Sequence, residues 1–242
     1  RNTALGYNAL SGEDTGSRNV AIGRGSLAVL NYDGNGYNTA VGYASGGAMT
    51  TGVQNSIMGG LAGDALTSGG YNVAIGYGAL STEDDGSFNT AVGRGTLQAQ
   101  NAGDAYNTAL GFNAGNAVTT GVQNTLIGGL AGDAITEGSH NIAMGHNALG
   151  TLNTGADNIA IGVNAGGALT TGGNNVAIGN YALDNEDAHG KNVAIGYAAL
   201  TAQDAGADAF NTAVGYNAGG GMSTGIHNTL LGANAGLAIT TG

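Results

Sequence analysis

An asparagine followed four residues later by a glycine recurs fourteen times along this chain, and no other feature constrains the fold as much. The asparagines are Asn2, Asn19, Asn38, Asn55, Asn72, Asn89, Asn107, Asn124, Asn141, Asn158, Asn175, Asn192, Asn211 and Asn228. Ten of the thirteen steps between them equal the step from Asn2 to Asn19; those from Asn19 and Asn192 are longer by two, and that from Asn89 by one. The core motif reads Asn-x-Ala-aliphatic-Gly, and the glycine (Gly6, Gly23, Gly42 and so on to Gly232) never fails. A unit this short cannot bury a hydrophobic face alone, so stacked coils that share one core are expected: an all-β, parallel β-solenoid of about 14 coils of about 17–19 residues. At about 4.8 Å per coil, such a stack would be roughly 65–70 Å long.

Each coil opens with a strand, and so short a coil leaves room for two or three short strands with tight turns. Side chains alternate along a strand, so in Asn72-Val73-Ala74-Ile75-Gly76 the residues Val73 and Ile75 share one face and Ala74 takes the other. The aliphatic row is expected to form the interior ladder. The alanine row (Ala4, Ala21, Ala40, Ala74) is then expected to face outward and to pack against another chain. The obligatory glycine implies a turn with φ > 0 or a tight corner.

The residue four places after that glycine divides the coils into two classes. Seven have leucine there (Leu10, Leu27, Leu80, Leu97, Leu149, Leu183, Leu200) and seven have glycine (Gly46, Gly63, Gly115, Gly132, Gly166, Gly219, Gly236). In chain order the classes run LLGG, LLGG, LG, LLGG. All three longer steps belong to leucine-class coils, and so do 13 of the 16 acidic residues, among them Glu13, Glu83 and Glu186. Insertions and charges belong on exposed loops, so the leucine-class tails are expected to face solvent and the glycine-class tails to be packed.

Composition excludes several classes of function. With five basic residues and a net charge of −11, the chain cannot displace counterions from nucleic acid. No run of eighteen apolar residues is present, so no membrane insertion by this segment is expected. There are 49 glycines but no proline and no three-residue period, which argues against collagen. Regular Val, Ile and Leu argue against disorder. The absence of cysteine fits an extracellular protein that does not rely on disulfides.

Runs such as Asn19-Val20-Ala21-Ile22-Gly23 and Asn192-Val193-Ala194-Ile195-Gly196 resemble the head repeats of YadA-like trimeric autotransporter adhesins. Runs such as Asn2 to Ala9 and Asn211 to Ala218 are similar to repeats of phage tail fibres. The resemblance spans the whole chain and implies a left-handed β-roll assembled as a homotrimer, extracellular, on a bacterial cell surface or virion. The YadA-type coil is usually shorter and lacks the Leu/Gly alternation, and no stalk, anchor or chaperone domain is seen.

No residue pattern points to catalysis, a cofactor or a metal. The asparagine row reads as a structural ladder of stacked amides. Aromatics recur just before the asparagine (Tyr37, Tyr71, Phe88, Tyr106, Phe210) and just after the glycine (Tyr7, Tyr43, Tyr77, Phe112, Tyr197, Tyr216). They could stack on a cell-surface glycan or on one another across coils. The acidic tails Glu13-Asp14, Glu83-Asp84-Asp85 and Asp184-Asn185-Glu186-Asp187 fit no calcium-loop pattern and read as solvated loops. His140, His146, His189 and His227 are scattered over interchangeable repeat positions.

The expected whole is therefore a single repeat domain over residues 1–242, not an enzyme, acting as a stiff structural or adhesive fibre segment. Its expected partners are copies of itself, by trimerisation and end-to-end assembly, and a cell-surface glycan. An ice-binding solenoid is the alternative, since threonines recur at Thr3, Thr39, Thr90, Thr108, Thr125, Thr212 and Thr229. Val20, Val73, Val176 and Val193 break that row. A polysaccharide-degrading tailspike is a third and weaker reading, because the acids are spread along an edge. The chain starts inside the motif and Gly242 stops where another coil is due, so a piece of a longer fibre is expected.

Overall fold

The computed structural model describes residues 1–241. These form two compact units, Arg1–Val122 and a second from Gln123 onward. Each unit is a parallel β-solenoid of seven coils, and no helix occurs among the described residues. Each coil contributes one three-residue strand, from Thr3–Leu5 through Thr108–Leu110 in the first unit and from Thr125–Ile127 through Thr229–Leu231 in the second. Within a unit each strand pairs in parallel with the next in sequence and without a slip, as in Val73↔Thr90, Ala74↔Ala91 and Ile75↔Val92. Gly242, with the coil expected after it, lies outside the described residues.

The coil holds one strand and not the expected two or three, because the rest of its path is turn. Stacking continues along those turns through backbone bonds between coils, such as Gly25 N–H to Tyr7 O at 2.9 Å and Leu27 N–H to Ser45 O at 3.1 Å. Four positions per coil hold φ > 0: the residue before the asparagine, the obligatory glycine, the residue two after that glycine, and the class residue. Of these four, only the obligatory glycine would drive a Cβ into the backbone of the next coil. Gly6 has φ +140°, and a Cβ there would lie 2.6 Å from Gly23 O of the next coil; at Gly128, with φ +133°, it would lie 2.5 Å from Gly145 O.

The strand faces the opposite way from the sequence expectation. The alanines point inward and Ala21, Ala40, Ala74 and Ala91 are fully buried. The aliphatic row points outward; Met58 is 51 % exposed and Leu110 47 %. The interior is too thin for two large side chains to meet across it, and the class residue on the opposite wall fills it. Leu27, Leu80, Leu97, Leu149, Leu183 and Leu200 are all buried there. They sit at φ of 46–52°. That left-handed conformation costs roughly 1–2 kcal/mol, against about 1.5–3 kcal/mol gained by burying a leucine, so burial wins.

Glycine-class coils use the vacated space. In the Asn55 and Asn124 coils the inward strand residue is not alanine but Ile57 or Leu126, both buried. The class glycine opposite yields the room: a Cβ on Gly132 would lie 2.8 Å from Leu126 Cδ2. The first glycine of a GG pair lends space to both neighbours, since a Cβ on Gly46 would lie 2.9 Å from Leu27 Cδ2 and 3.2 Å from Ile57 Cδ1. The LLGG order is thus a volume code along the core, kept at close packing. Three residues after the class glycine a second apolar side chain enters the core, as Met49, Leu66, Val118, Ile135, Leu169 and Met222 do. The glycine-class tails are packed for this reason.

Candidate functional site

The asparagines run coil to coil as a continuous chain of bonds within each unit. Asn38 N–H donates to Asn19 Oδ1 at 3.1 Å, and Asn55 N–H to Asn38 Oδ1 at 2.9 Å. Each side-chain amide also closes its own coil, as in Asn38 Nδ2 to Gly52 O at 2.8 Å and Asn158 Nδ2 to Gly172 O at 2.9 Å. Asn19 through Asn211 are buried, Asn228 is half-buried and Asn2 is exposed. Stacked amides of this kind hold the coils in register.

The aromatic positions lie on two exposed columns. Tyr37, Tyr71, Phe88 and Tyr106 occupy the corner before the asparagine, at φ of 52–64°. Tyr71 stacks on Phe88 with ring centres 5.1 Å apart, and Phe88 on Tyr106 at 4.9 Å. Tyr37 carries the Arg18 guanidinium over its ring at 5.1 Å. In the second column Arg24 lies between Tyr7 and Tyr43, 5.9 and 5.7 Å from the ring centres. Tyr7, Arg24 and Tyr43 line a shallow groove together with Asn8 and Ala28. In the second unit Tyr197 stacks on Tyr216 at 5.3 Å and Phe210 on His227 at 5.3 Å. These rings satisfy one another across coils.

The acidic tails depart from the expectation of solvated loops. Asp14, Asp84, Asp85 and Asp187 are exposed, but Glu83 and Glu186 are fully buried, at 0 % exposure. Both sit three residues after the class leucine, where the glycine-class coils place Met49 or Leu66. The reason is the turn that follows. Gly86 N–H donates to Glu83 Oε1 at 2.9 Å and Gly16 N–H to Glu13 Oε1 at 2.6 Å. Tyr32 N–H, from the lengthened coil that follows, reaches Glu13 Oε2 at 3.5 Å. At the matching place the Ala102 amide draws on the Glu83 carboxylate, although Oε2 makes no bond of normal geometry. All three lengthened coils follow a coil with glutamate at this position. An insertion interrupts the backbone ladder and frees N–H groups, and at Glu13 and Glu83 the carboxylate of the preceding coil faces one of them, Tyr32 or Ala102. That offset was visible in the sequence as the pairing of Glu13, Glu83 and Glu186 with the next long step.

Burial raises the Glu83 carboxyl above its usual range; Gly86 and Ala102 N–H oppose this, while Asp84 and Asp85 reinforce it. Burial pushes Glu186 up to about 7, with His189 opposing and Asp204 and Asp187 reinforcing. In the lengthened coils themselves the same position carries an amide in two cases. Gln100 Oε1 accepts from Asn107 Nδ2 at 2.6 Å and Gln203 Oε1 from Asn211 Nδ2 at 3.0 Å. At the surface Lys191 Nζ lies 2.6 Å from Asp208 Oδ2 and holds that carboxyl below its ordinary value.

The four histidines do not converge. His140 faces Asp157 at 3.6 Å and His227 stacks on Phe210, whereas His189 Nδ1 lies 3.7 Å from Glu186 Oε1. Two groups of side chains among the described residues could hold a cation: Glu83 with Asp84 and Asp85, and Glu186 with Asp187 and His189. No helix of the described residues is long and apolar enough to cross a membrane. Compared with family models, curated proteins and solved structures, the chain matches none.

Proposed function

We propose that this chain is a structural or adhesive fibre segment that works by packing its outward apolar row against copies of itself. The row of Leu5, Ile22, Val41, Met58, Ile75, Val92 and Leu110 carries this reading. It is in register through every coil of the first unit. The second unit repeats it from Ile127 to Leu231. A contiguous apolar surface of this kind is what self-association surfaces present. It takes over the role expected of the alanines.

A homotrimer is the assembly that the resemblance to YadA-like heads and phage tail fibres favours, and it suits an extracellular part on a bacterial surface or virion. Exposed aromatic columns leave surface for a cell-surface glycan beside the packed face. Sedimentation equilibrium of the chain is expected to give three times the chain mass, and Met58→Asp with Ile75→Asp is expected to return it to monomer. A compact monomer of the parent chain would overturn the proposal.

A further inference from the structure

We propose that Glu186, Asp187 and His189 form a binding site for a divalent transition-metal ion of the zinc type. Three observations meet here. First, Glu186 is fully buried in a coil interior that elsewhere takes mostly apolar side chains or an amide, yet neither of its carboxylate oxygens makes a hydrogen bond of normal geometry, and the pull of the His189 backbone N–H and the 3.7 Å approach of His189 Nδ1 leave it only weakly paired. An isolated carboxylate in such a place is costly until something pairs with it. Second, the equivalent carboxylates are partly served by the turn that follows, since Gly16 N–H and Gly86 N–H bond Glu13 and Glu83. At the third site the residue in that place is His189; its backbone N–H is likewise drawn to Glu186, while its Nδ1 is shielded from solvent, 3.7 Å from Glu186 Oε1 and without a hydrogen bond. Third, donor atoms from Glu186, Asp187 and His189 all lie within 4.8 Å of one another.

Metal–ligand distances of about 2.0–2.2 Å place two donors of one ion no more than about 4 Å apart, so a small closure of this turn completes the site. The Asp187 backbone is already pinned, because its carbonyl accepts from Thr170 Oγ1 at 2.9 Å. One imidazole nitrogen with two carboxylates is the donor set of a borderline ion such as Zn²⁺, with solvent completing the tetrahedron. The all-oxygen group of Glu83, Asp84 and Asp85 lacks the nitrogen. A bound ion would tie the exposed leucine-class tail to the core at this one place in the chain.

The competing arrangement is a direct Glu186–His189 contact with no ion. Titration calorimetry of the full, chelator-dialysed chain with zinc chloride separates the two. One saturable site per chain is expected, weakened at least tenfold by His189→Ala and by Asp187→Asn and unchanged by His140→Ala. Both weakening substitutions fall on side chains that reach solvent, so folding is preserved, and an unchanged far-ultraviolet spectrum checks it. Zinc is also expected to raise the melting temperature of the parent chain and not that of His189→Ala. No saturable uptake, or uptake that His189→Ala leaves intact, would overturn the proposal.

Discussion

The tail that follows Leu80 and the tail that follows Leu149 begin alike and diverge at one residue. Both belong to leucine-class coils of the ordinary length. Three residues after the leucine, the first places Glu83 in the core and the second places Leu152, and both are fully buried. The coil after Glu83 is longer by one, whereas the coil after Leu152 keeps the ordinary length. The contrast identifies what the buried carboxylate does. It is a local answer to an interrupted backbone ladder, and where the ladder is intact a leucine serves better.

Moving the charge puts this contrast to its most severe test. Leu152→Glu places a carboxylate above an uninterrupted ladder with no freed N–H to receive. A loss of about 3 kcal/mol or more is expected, as for a buried charge without a partner. Urea unfolding followed by circular dichroism measures it, and an unchanged midpoint would remove the proposed link between carboxylate and insertion.

A smaller effect is expected at Glu83, and it depends on pH. Its carboxyl is raised above the usual value, so the folded state holds the proton more tightly than the unfolded chain does. The stability it contributes is complete below the unfolded value of about 4.3 and is lost as pH rises through the folded value. Glu83→Gln, which installs the residue that Gln100 and Gln203 already use in this place, is expected to flatten that slope. Urea midpoints of both chains across pH 4 to 8 test it; parallel curves would show that Glu83 does not titrate in this window. The smallest effect is expected at the exposed neighbour. Asp84→Asn should shift the same midpoint by no more than about 0.5 kcal/mol, and a larger loss would mean that the exposed acid shares the role of the buried one.

The repeat, the number of coils, their parallel stacking and the two coil classes were legible in the sequence because they depend on spacing. A coil that must return to the same register at every turn of the stack keeps its asparagine and its obligatory glycine at fixed intervals. Gly6 and Gly128 show why nothing else fits there: a Cβ would enter the backbone of the next coil. Packing of the glycine-class tails was legible for the same reason, since an unvarying length marks a constrained path. The position of Glu83 before a long coil was written in the sequence too, but as an offset between neighbouring coils and not as a motif within one.

Which face of the strand is the inside could not be read this way and was settled by packing. Ala74 and Ile75 are both apolar, so the alternation separates two faces without saying which is covered. The answer depends on the wall opposite, where Leu80 already fills a thin interior and leaves room for a methyl group alone. Burial of Glu83 and Glu186 was settled in the same way, because a charged side chain moves inward only where backbone donors or a partner of suitable chemistry face it. Local pattern set the coil; competition for the volume inside it set which side chains the surface would carry.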